Sequence, residues 1–373
     1  MRNKMMAATI WVNKAHLGEH KVHEESLPTL GDGEVRLRVE SFAVTANNVT
    51  YAVIGDMFRY WDFFPAQSQS PDADPQDSAG YGIVPMWGHG VVEASNHPDI
   101  AVGERIYGYL PMGTHLDVLP GQVSRGQFTD MAAHRQPMSV FYNQYSRLAV
   151  DPEHDPAREA QRMIFGPLFK TGFLIEAMFR AENWFGAHAL VMTSASSKTS
   201  MALASVTREK SPAIKQIGLT SAGNVAFVKA GGLYDEVLAY DDVGSLAQSP
   251  SVSVDFAGNA ALLGAIHQTL GAHLKYSCIV GATHVDARGG GGAPLPGPAP
   301  ILFFAPDHAV NVIKTLGPRG FGEAVAASWK TFIATTDGFV RVDTRGGIAA
   351  AAEAFQVTLA GAADPAVGIV IHP

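Results

Sequence analysis

The chain has 373 residues, of which 47% are hydrophobic and 17% charged, and its formal net charge is −8. This length predicts two domains, and the composition excludes a disordered chain. The acidic balance, without a long run of Lys and Arg, argues against a nucleic-acid partner, and the single cysteine, Cys278, excludes a disulfide framework and a multi-thiolate zinc site.

Residues 1–12 contain an apolar stretch of about eight residues that Lys14 interrupts, and no small-residue cleavage site of a secretory signal follows it. No stretch approaches the roughly 20 apolar residues that a membrane span requires. We therefore expect a soluble, cytoplasmic protein with no membrane partner.

The first third of the chain has the pattern of strands and turns. Charged and apolar residues alternate over 34–40, which predicts a half-buried strand. Further strands are predicted over 88–94 and within 102–108, where a turn precedes the strand. The polar, proline-rich residues 65–75 predict an exposed loop.

Between residues 160 and 285, short apolar strands alternate with helical segments. The strands are predicted over 189–193, 214–219, 236–239, 252–256 and 276–280, and the helices over 197–208, 224–230 and 260–270. This alternation indicates βαβ units in a parallel sheet that is covered on both faces. Such sheets bind ligands at the carboxyl ends of their strands, beside the point where the strand order reverses.

The last third begins with the Gly- and Pro-rich residues 288–300, which are either an interdomain linker or a mobile loop over a site. Helices are predicted over 321–332 and 347–359, and a final strand over 367–371.

The loop after the first strand of the parallel sheet reads Ser-Ala-Ser-Ser-Lys-Thr-Ser over 194–200 and runs directly into a helix. Dinucleotide-binding loops at this place are glycine-rich, because the backbone must approach a pyrophosphate and offer it helix N-terminal amides. Small residues keep the loop tight, and their hydroxyls and a lysine can bind an anion. The alternative is an ordinary helix cap. In this strand–loop–helix context we favour cofactor binding by Ser194, Ser196, Ser197, Lys198 and Thr199.

The following strand ends with Thr220, Ser221 and Asn224. NAD-specific sites usually have an Asp or Glu here that binds the adenine ribose hydroxyl. Without that carboxylate nothing repels a 2′-phosphate, and hydroxyl donors can bind it. We therefore predict NADP(H) as the cofactor, although no arginine follows and the nearest base is Lys229.

These motifs resemble those of the medium-chain dehydrogenase/reductase superfamily, in particular its zinc-independent, quinone-oxidoreductase-like branch. The similarity covers nearly the whole chain and lies in residues 34–56, 88–92, 102–108 and 189–242. Shorter segments are similar to a family of unknown function related to that branch, namely 185–186, 194–199, 218–221, 255–259, 280–284 and 300–306.

The resemblance implies an α/β fold with two domains. A GroES-like, β-rich catalytic domain is expected over residues 1–150, completed by 335–373, and a Rossmann domain with a doubly wound parallel sheet over 151–334. The resemblance also implies a homodimer that acts on a small-molecule substrate.

Further cofactor residues follow from the resemblance. Asn48 stands where relatives often have Asp, so we expect it to order the cofactor loop. The others are Tyr240, Gly281, Thr283 and His284. His284 and Phe304 are candidates to flank the nicotinamide, although His284 is equally compatible with a satisfied histidine at a strand end.

Zinc-dependent relatives bind a catalytic metal through Cys, His and Cys. The matching positions here are Thr45, His89 and a residue near Pro167, and of these only His89 could be a ligand. One neutral imidazole does not hold Zn²⁺ against water, and Cys278 lies on a predicted strand as a small core residue. We therefore expect no catalytic metal.

Without a metal, negative charge on a substrate oxygen must be met by protein donors alone. An activated C=C bond or a quinone suits such a site, because the carbonyl spreads the charge and a side chain supplies the proton. The candidate donors are Tyr51, Lys170 and His89. Their alternative roles are, in turn, a core aromatic, a lysine that snorkels before an apolar helix, and a turn cap. Tyr60 and Phe304 are candidates to line the substrate pocket.

The sequence thus favours an NADPH-dependent reductase of a quinone or of an activated C=C bond, as in an enone or enoyl thioester. Two alternatives stay open: a non-catalytic NADP(H)-binding sensor or structural protein, and an NADP-dependent alcohol dehydrogenase.

Overall fold

A computed structural model of the protein describes residues 6–68, 74–280 and 295–373. The chain forms two compact units. Unit 1 comprises Met1–Ile164 and Val342–Pro373, and unit 2 comprises Phe165–Arg341.

The first segment of unit 1 consists mainly of strands. They are β1 (Met6–Asn13), β2 (His20–Ser26), β3 (Val35–Val44), β4 (Tyr81–Gly82), β5 (Pro85–Ser95), β6 (Arg105–Pro111), β7 (His115–Val118), β8 (Pro120–Gly121), β9 (Gln127–Asp130) and β10 (Gln144–Arg147). Helix α1 (Ala46–Val53) follows β3. Short 3₁₀ turns occupy Tyr60–Asp62, Pro75–Asp77, Ala133–Arg135, Val140–Tyr142, Leu148–Val150 and Pro156–Arg158.

The rest of the chain alternates helices and strands. In order they are α2 (Glu159–Ala181), β11 (Ala189–Met192), α3 (Lys198–Lys210), β12 (Lys215–Thr220), α4 (Val225–Ala230), β13 (Glu236–Ala239), β14 (Ser251–Asp255), α5 (Ala260–Leu270), β15 (Leu274–Ile279), β16 (Ile301–Leu302), α6 (Ala305–Thr336), β17 (Arg341–Gly346), α7 (Ile348–Leu359) and β18 (Val367–His372). Further 3₁₀ turns occupy Asn183–Gly186, Ala222–Asn224, Tyr240–Ser245 and Gly271–His273.

The main sheet of unit 1 has the strand order β17-β18-β3-β5-β6-β10-β9-β8, and β7 pairs with β3. Its centre is the antiparallel pair β3 and β5. Gly88 permits their close approach, because a Cβ there would lie 2.2 Å from the carbonyl oxygen of Ser41. β5 also pairs with β6, and this register sets Trp87 opposite Tyr109 and His89 opposite Tyr107. A separate three-stranded sheet has the order β2-β1-β4.

Unit 2 contains a six-stranded sheet in the order β13-β12-β11-β14-β15-β16, with every pair parallel. The order reverses between β11 and β14, so the carboxyl ends of these two strands define the switch point at which such sheets bind ligands. The core cluster against this sheet is apolar and consists of Ala189, Val191, Ile217, Leu219, Leu246, Leu262, Ile266, Leu270 and Leu274. The predicted combination of a β-rich domain with a doubly wound parallel sheet is confirmed.

Two helices differ from the sequence prediction. α2 runs continuously through Pro167, so Lys170 lies in mid-helix rather than before a helix. α6 begins 16 residues before the predicted helix 321–332. It is kinked at Gly317, which has a φ of 71° and precedes Pro318. The undecided segment 288–300 lies largely outside the described residues.

A left-handed turn, Asn183–Gly186, leads into β11. Its residues have φ values of 48°, 53°, 52° and 74° in chain order, a region that costs non-glycine residues roughly 1–2 kcal/mol each. Aromatic stacking holds the turn: Trp184 lies against Phe179, with ring centroids 5.1 Å apart, and Phe185 against Tyr276 at 4.4 Å. Packing therefore imposes a backbone conformation that the residues would not adopt alone.

A histidine lies in the interior of unit 1. β5 places His89 where its side chain is fully buried, and neither ring nitrogen hydrogen-bonds to any residue that the structure describes. Burial lowers the pKa of His89 to about 3. Folded His89 is therefore a neutral imidazole at neutral pH.

Among the helices of the described ranges, none is long and apolar enough to cross a membrane. The same residues contain no group of three or more His, Cys, Asp or Glu side chains arranged to hold a metal ion.

The left-handed turn yields a prediction for Gly186→Ala. A Cβ at Gly186 meets no atom within 4 Å, so the cost is the backbone conformation alone, about 1–2 kcal/mol of unfolding free energy. Gly244→Ala is the control, because its Cβ also meets nothing and its φ is not positive. Urea unfolding of both variants checks this, and equal stabilities would contradict the left-handed backbone.

The buried histidine predicts a pH dependence of stability. Between pH 6.5 and about 3 the unfolded His89 binds a proton that the folded one does not. As the pH is lowered through this range, the free energy of unfolding therefore decreases, and His89 contributes up to about 1.4 kcal/mol per pH unit to this decrease. His89→Leu should remove that part of the slope in urea unfolding, whereas substitution of the exposed His16 by Asn should keep it. Equal slopes for wild type and His89→Leu would contradict the buried neutral imidazole.

Candidate functional site

The switch point of the parallel sheet is fixed by a buried hydrogen bond. Thr193, directly after β11, donates from Oγ1 to Oδ1 of Asp255 at the end of β14, at 2.6 Å. The same Oγ1 accepts from the amides of Phe256 and Ala257 at 2.8 and 3.0 Å. Burial raises the pKa of Asp255, and the bonds from Thr193 and the backbone oppose that rise. The two strand ends are thereby tied together where a ligand would approach.

The loop from Ser194 to Ser197 turns sharply from β11 into α3. Ser194 has a φ of 47°, a left-handed conformation that favours glycine. Ser197 caps the helix, since its Oγ accepts from the amide of Ser200 at 3.2 Å. Gly218 on β12 allows the loop to lie close, because a Cβ there would be 2.8 Å from that of Ala195. The loop thus has both the tight turn of a phosphate loop and the cap of an ordinary helix.

Hydroxyl groups join this loop to the ends of the neighbouring strands. Oγ of Ser194 lies 3.4 Å from the hydroxyl of Tyr240, which follows β13. Nδ2 of Asn224 donates to Oγ of Ser196 at 3.2 Å. Thr220 ends β12 with a buried hydroxyl that has no hydrogen-bond partner among the described residues. The structure therefore brings together five of the residues that the sequence assigned to the cofactor.

The remaining assigned residues of unit 2 are more scattered. Lys198 and Thr199 are half-buried in the first turn of α3, and Ser221 is exposed just after β12. Lys170 is half-buried in α2, and Phe304 is the N-cap of α6. Gly281, Thr283 and His284 lie outside the described residues. Cys278 is buried on β15, as expected of a core residue.

Unit 1 contains a cluster of aromatic side chains around Tyr51, the tyrosine cluster, with members from α1, β5, β6, two 3₁₀ turns and the residue after the first of these turns. Its members are Tyr51, Tyr60, Phe63, Trp87, Tyr109 and Tyr142. The ring centroids of Tyr51 and Tyr60 are 4.5 Å apart, and those of Tyr109 and Tyr142 are 4.9 Å apart. The two sequence candidates Tyr51 and Tyr60 are therefore neighbours.

The hydroxyl of Tyr51 is oriented by two donors. It accepts from Nδ2 of Asn47 at 2.7 Å and from Nε1 of Trp87 at 3.0 Å. Burial, together with nearby Tyr142, raises the pKa of Tyr51, and these hydrogen bonds, with a third that Tyr51 shares with Tyr109, oppose the rise. Tyr51 is thus a neutral phenol whose hydroxyl is held by Asn47, Trp87 and Tyr109.

His89 lies in an adjoining, charged cluster. Its ring centroid is 5.1 Å from that of Tyr107 and 6.5 Å from that of His154. Nε2 of His154 pairs with Glu159 at 2.8 Å, and the guanidinium of Arg162 lies 4.1 Å from the ring of Tyr107. Trp87 stacks on Tyr107 at 5.8 Å, so aromatic rings separate His89 from the tyrosine cluster.

The side chain of Asn48 makes all its observed hydrogen bonds within unit 1. Its Oδ1 accepts from the amide and hydroxyl of Thr45 at 2.7 and 3.2 Å, and its Nδ2 donates to the carbonyl of Pro85 at 2.9 Å. The side chain closes the first turn of α1 and ties it to the start of β5. Thr45, at a position where zinc-dependent relatives have a ligand, is part of the same helix cap.

Sequence reasoning missed Asp255 and the larger part of the tyrosine cluster. Asp255 is 62 residues from the threonine that it binds, so no local pattern marks the pair. The proximity of Trp87 and Tyr109 could have been predicted, because the antiparallel pairing of the two strands on either side of 96–99 sets them opposite one another. Tyr142 ends a 3₁₀ turn before β10, where no periodic pattern marks it.

Comparison with known proteins places the chain in context. No curated protein matches it. Among solved structures, CurA from Vibrio vulnificus in complex with NADPH is 13% identical, with 98% of each chain covered and a TM-score of 0.59. A putative NADPH:quinone reductase from Mesorhizobium loti is also 13% identical over 100% of each chain, with a TM-score of 0.57.

A third match is a thermostable alcohol dehydrogenase from Pyrobaculum aerophilum, 13% identical over 99% of this chain and 100% of the other, with a TM-score of 0.54. At these identities the likeness shows a shared fold. A family model matches residues 42–364, which is most of the chain. The chain belongs to the family described as Protein of unknown function (DUF2855).

Proposed function

We propose that this protein is an NADP(H)-dependent oxidoreductase that reduces a quinone or an activated C=C bond without a catalytic metal. The observation that carries the proposal is the loop from Ser194 to Ser197, which turns tightly into a helix at the switch point of a doubly wound sheet. The structural neighbours include CurA in complex with NADPH and a putative NADPH:quinone reductase, which supports the same assignment.

The residues at the switch point fit a dinucleotide. The N-terminus of α3 favours a pyrophosphate, because its amides and the helix dipole both attract an anion. Ser194, Ser196 and Lys198 add hydroxyls and a positive charge beside it. The tie between Thr193 and Asp255 keeps the loop in place before any ligand arrives.

The residues after β12 favour a 2′-phosphate over a free ribose hydroxyl. Thr220 has a buried hydroxyl without a partner among the described residues, and Ser221 and Asn224 supply further polar groups. The segment from Thr220 to Asn224 contains no carboxylate to repel a phosphate. Tyr240, hydrogen-bonded to Ser194, would close this side of the cofactor site.

The chemistry combines a bound cofactor with neutral donors. NADPH, when bound, supplies a hydride. Tyr51 then offers its phenolic proton to the substrate oxygen, and the bonds from Asn47 and Trp87 hold its hydroxyl in place. His89 is a poorer proton source near neutral pH, because burial lowers its pKa to about 3. Lys170 and Phe304 keep their proposed roles as a second donor and as a pocket residue.

We also propose a homodimer. β16 is a two-residue strand at the end of the six-stranded sheet, and Ile301 on it is 50% exposed. Within the described residues it pairs only with β15. An unpaired edge with an exposed apolar side chain is a place where a second copy can extend a sheet.

NADPH binding tests the cofactor assignment. We expect saturable binding, followed by the fluorescence of the bound nucleotide, and weaker binding of NADH. Ser221→Asp should weaken NADPH binding by about tenfold or more, because a carboxylate beside the 2′-phosphate repels it, and should affect NADH less. Ser221→Asn, of the same size without charge, is the control. Absence of any nucleotide binding would overturn the proposal.

Turnover tests the reaction. With NADPH and a panel of enones, enoyl thioesters and quinones, we expect substrate-dependent loss of NADPH absorbance. Tyr51→Phe should lower kcat by about 100-fold, the loss of a positioned proton donor, while Tyr81→Phe, outside the tyrosine cluster, should not change it. Binding without turnover would favour a non-catalytic sensor, and activity only with NADP⁺ and an alcohol would favour an alcohol dehydrogenase.

A further inference from the structure

The hydroxyl of Tyr234, a residue between α4 and β13, joins two parts of the segment that leads from β11 into α3. It donates to the carbonyl oxygen of Ala195 at 2.8 Å. Because a phenol has a single proton, the hydroxyl of Ser200, 2.8 Å away, is the donor in the second bond. All three residues are buried. Burial raises the pKa of Tyr234, so the phenol keeps its proton near neutral pH and the bond to Ala195 is maintained.

The backbone on both sides of Tyr234 is fixed to neighbouring elements. Nη2 of Arg208 on α3 donates to the carbonyl of Leu233 at 3.1 Å. The amide of Asp235 donates to the carbonyl of Gln216 at 2.9 Å, and the amide of Gln216 donates to Oδ2 of Asp235 at 2.8 Å. The phenol therefore reaches the loop from a fixed backbone, as a residue that positions another group must.

Gly218 on β12 provides the space for this arrangement. A Cβ at Gly218 would lie 2.8 Å from that of Ala195 and 2.9 Å from Cδ1 of Tyr234, closer than side chains approach one another. The ring of Tyr234 and the start of the loop thus lie side by side over the surface that this glycine leaves open.

The bond from Tyr234 orients one peptide group of the loop. The peptide group between Ala195 and Ser196 is trans, so its N–H points opposite to its carbonyl. With the carbonyl of Ala195 directed at the buried hydroxyl, the amide of Ser196 is directed away from Tyr234. Ala195 is buried and Ser196 is only half-buried, which agrees with an amide on the outside of the loop. An anion needs this orientation, because amide hydrogens attract it and carbonyl oxygens repel it.

The loop depends on such contacts because it lacks the glycines that dinucleotide-binding loops ordinarily contain. Ser194 has a φ of 47°, and a residue other than glycine keeps such a backbone only where the surrounding structure imposes it. Thr193 on one side of Ser194 is fixed by its bond to Asp255. Ala195 on the other side is fixed by its bond to Tyr234. The two hydrogen bonds therefore enclose the strained residue.

We propose that Tyr234 is a positioning residue for the cofactor: its hydroxyl keeps the loop from Ser194 to Ser197 in the conformation that receives a pyrophosphate. In other loops of this kind glycines allow that conformation. Tyr234 acts through Ala195 and Ser200, which it contacts directly. The inference rests on the proposed function, because it takes a nucleotide as the ligand of this loop.

The nucleotide affinity of Tyr234→Phe tests the inference. Wild type and variant are titrated with NADPH and with NADH, and binding is followed by the fluorescence of the nucleotide. We expect the variant to bind both about five- to tenfold more weakly, because the loss of one hydrogen bond lowers the population of the binding conformation by about that factor. The ratio of the two affinities should not change, since the pyrophosphate is common to both nucleotides.

Tyr276→Phe is the matched control, because it removes the same group from another tyrosine of unit 2. The ring of Tyr276 stacks on Phe185 in the turn before β11, so it lies toward the amino ends of the strands, whereas the loop follows their carboxyl ends. Both nucleotides should bind Tyr276→Phe as tightly as wild type. Equal weakening by Tyr276→Phe and Tyr234→Phe would overturn the inference.

Ser200→Ala supplies a second variant, because it removes the other hydrogen bond of the phenol. The double variant Tyr234→Phe/Ser200→Ala should bind NADPH about as weakly as Tyr234→Phe alone, since both substitutions break the same contact between phenol and helix. Effects that multiply would show that the two hydroxyls act independently, and would contradict the inference.

Hydrogen exchange without nucleotide reports directly on the loop. The amide of Ala195 donates to the carbonyl of Leu219 at 3.0 Å, and that of Ser197 to the carbonyl of Ser194 at 2.7 Å, so both amides are protected. In Tyr234→Phe they should exchange several times faster than in wild type, while the amides of β14 should not change. Unchanged exchange of both amides would overturn the inference. A lower Tm with unchanged nucleotide affinity would also overturn it, because a merely structural tyrosine gives that result.

The outcomes separate this inference from the proposed function. If wild type binds no nucleotide, the proposed function is overturned and the role of Tyr234 with it. If wild type binds NADPH and Tyr234→Phe binds it equally well, only the role of Tyr234 is overturned.

Discussion

One buried hydrogen bond, from Thr193 to Asp255, fixes the point on which the candidate cofactor site depends. It joins the ends of β11 and β14, between which the parallel sheet reverses its order. A buried carboxylate is costly unless it is hydrogen-bonded, so the bonds from Thr193 and from the amide of Ala257 at 3.0 Å are needed for the residue to be buried at all. This pair fixes the position of the loop that follows Thr193, and the loop in turn fixes the start of α3.

Both units position hydrogen-bond donors in advance, but they use different groups. At the switch point of unit 2, backbone amides and hydroxyls at a helix N-terminus are arranged for an anion. In unit 1, Asn47 and Trp87 orient the hydroxyl of Tyr51, and the network around Arg135 holds Tyr142 and Tyr109 through their backbone carbonyls. In both units the donors are in place before a ligand binds, which is where electrostatic stabilisation is most effective.

Local patterns were enough to predict the parts of the molecule that depend on local chemistry. The strand, the tight loop and the helix around Ser194 follow one another within about twenty residues, so propensity and spacing predict them. The same reasoning placed Lys170 before an apolar helix, although α2 already begins at Glu159 and contains both Pro167 and Lys170. Tyr109 and Tyr142 were not predicted, since their proximity depends on strand register and on the buried Arg135. The assigned residues Gly281, Thr283 and His284 stay predictions.

The measurement that tests the central claim most directly is a structure of the protein determined with NADPH. The account predicts that the pyrophosphate contacts the N-terminus of α3 and the loop from Ser194 to Ser197, with the 2′-phosphate beside Thr220 and Ser221. A nucleotide bound with its phosphates away from this loop would contradict it.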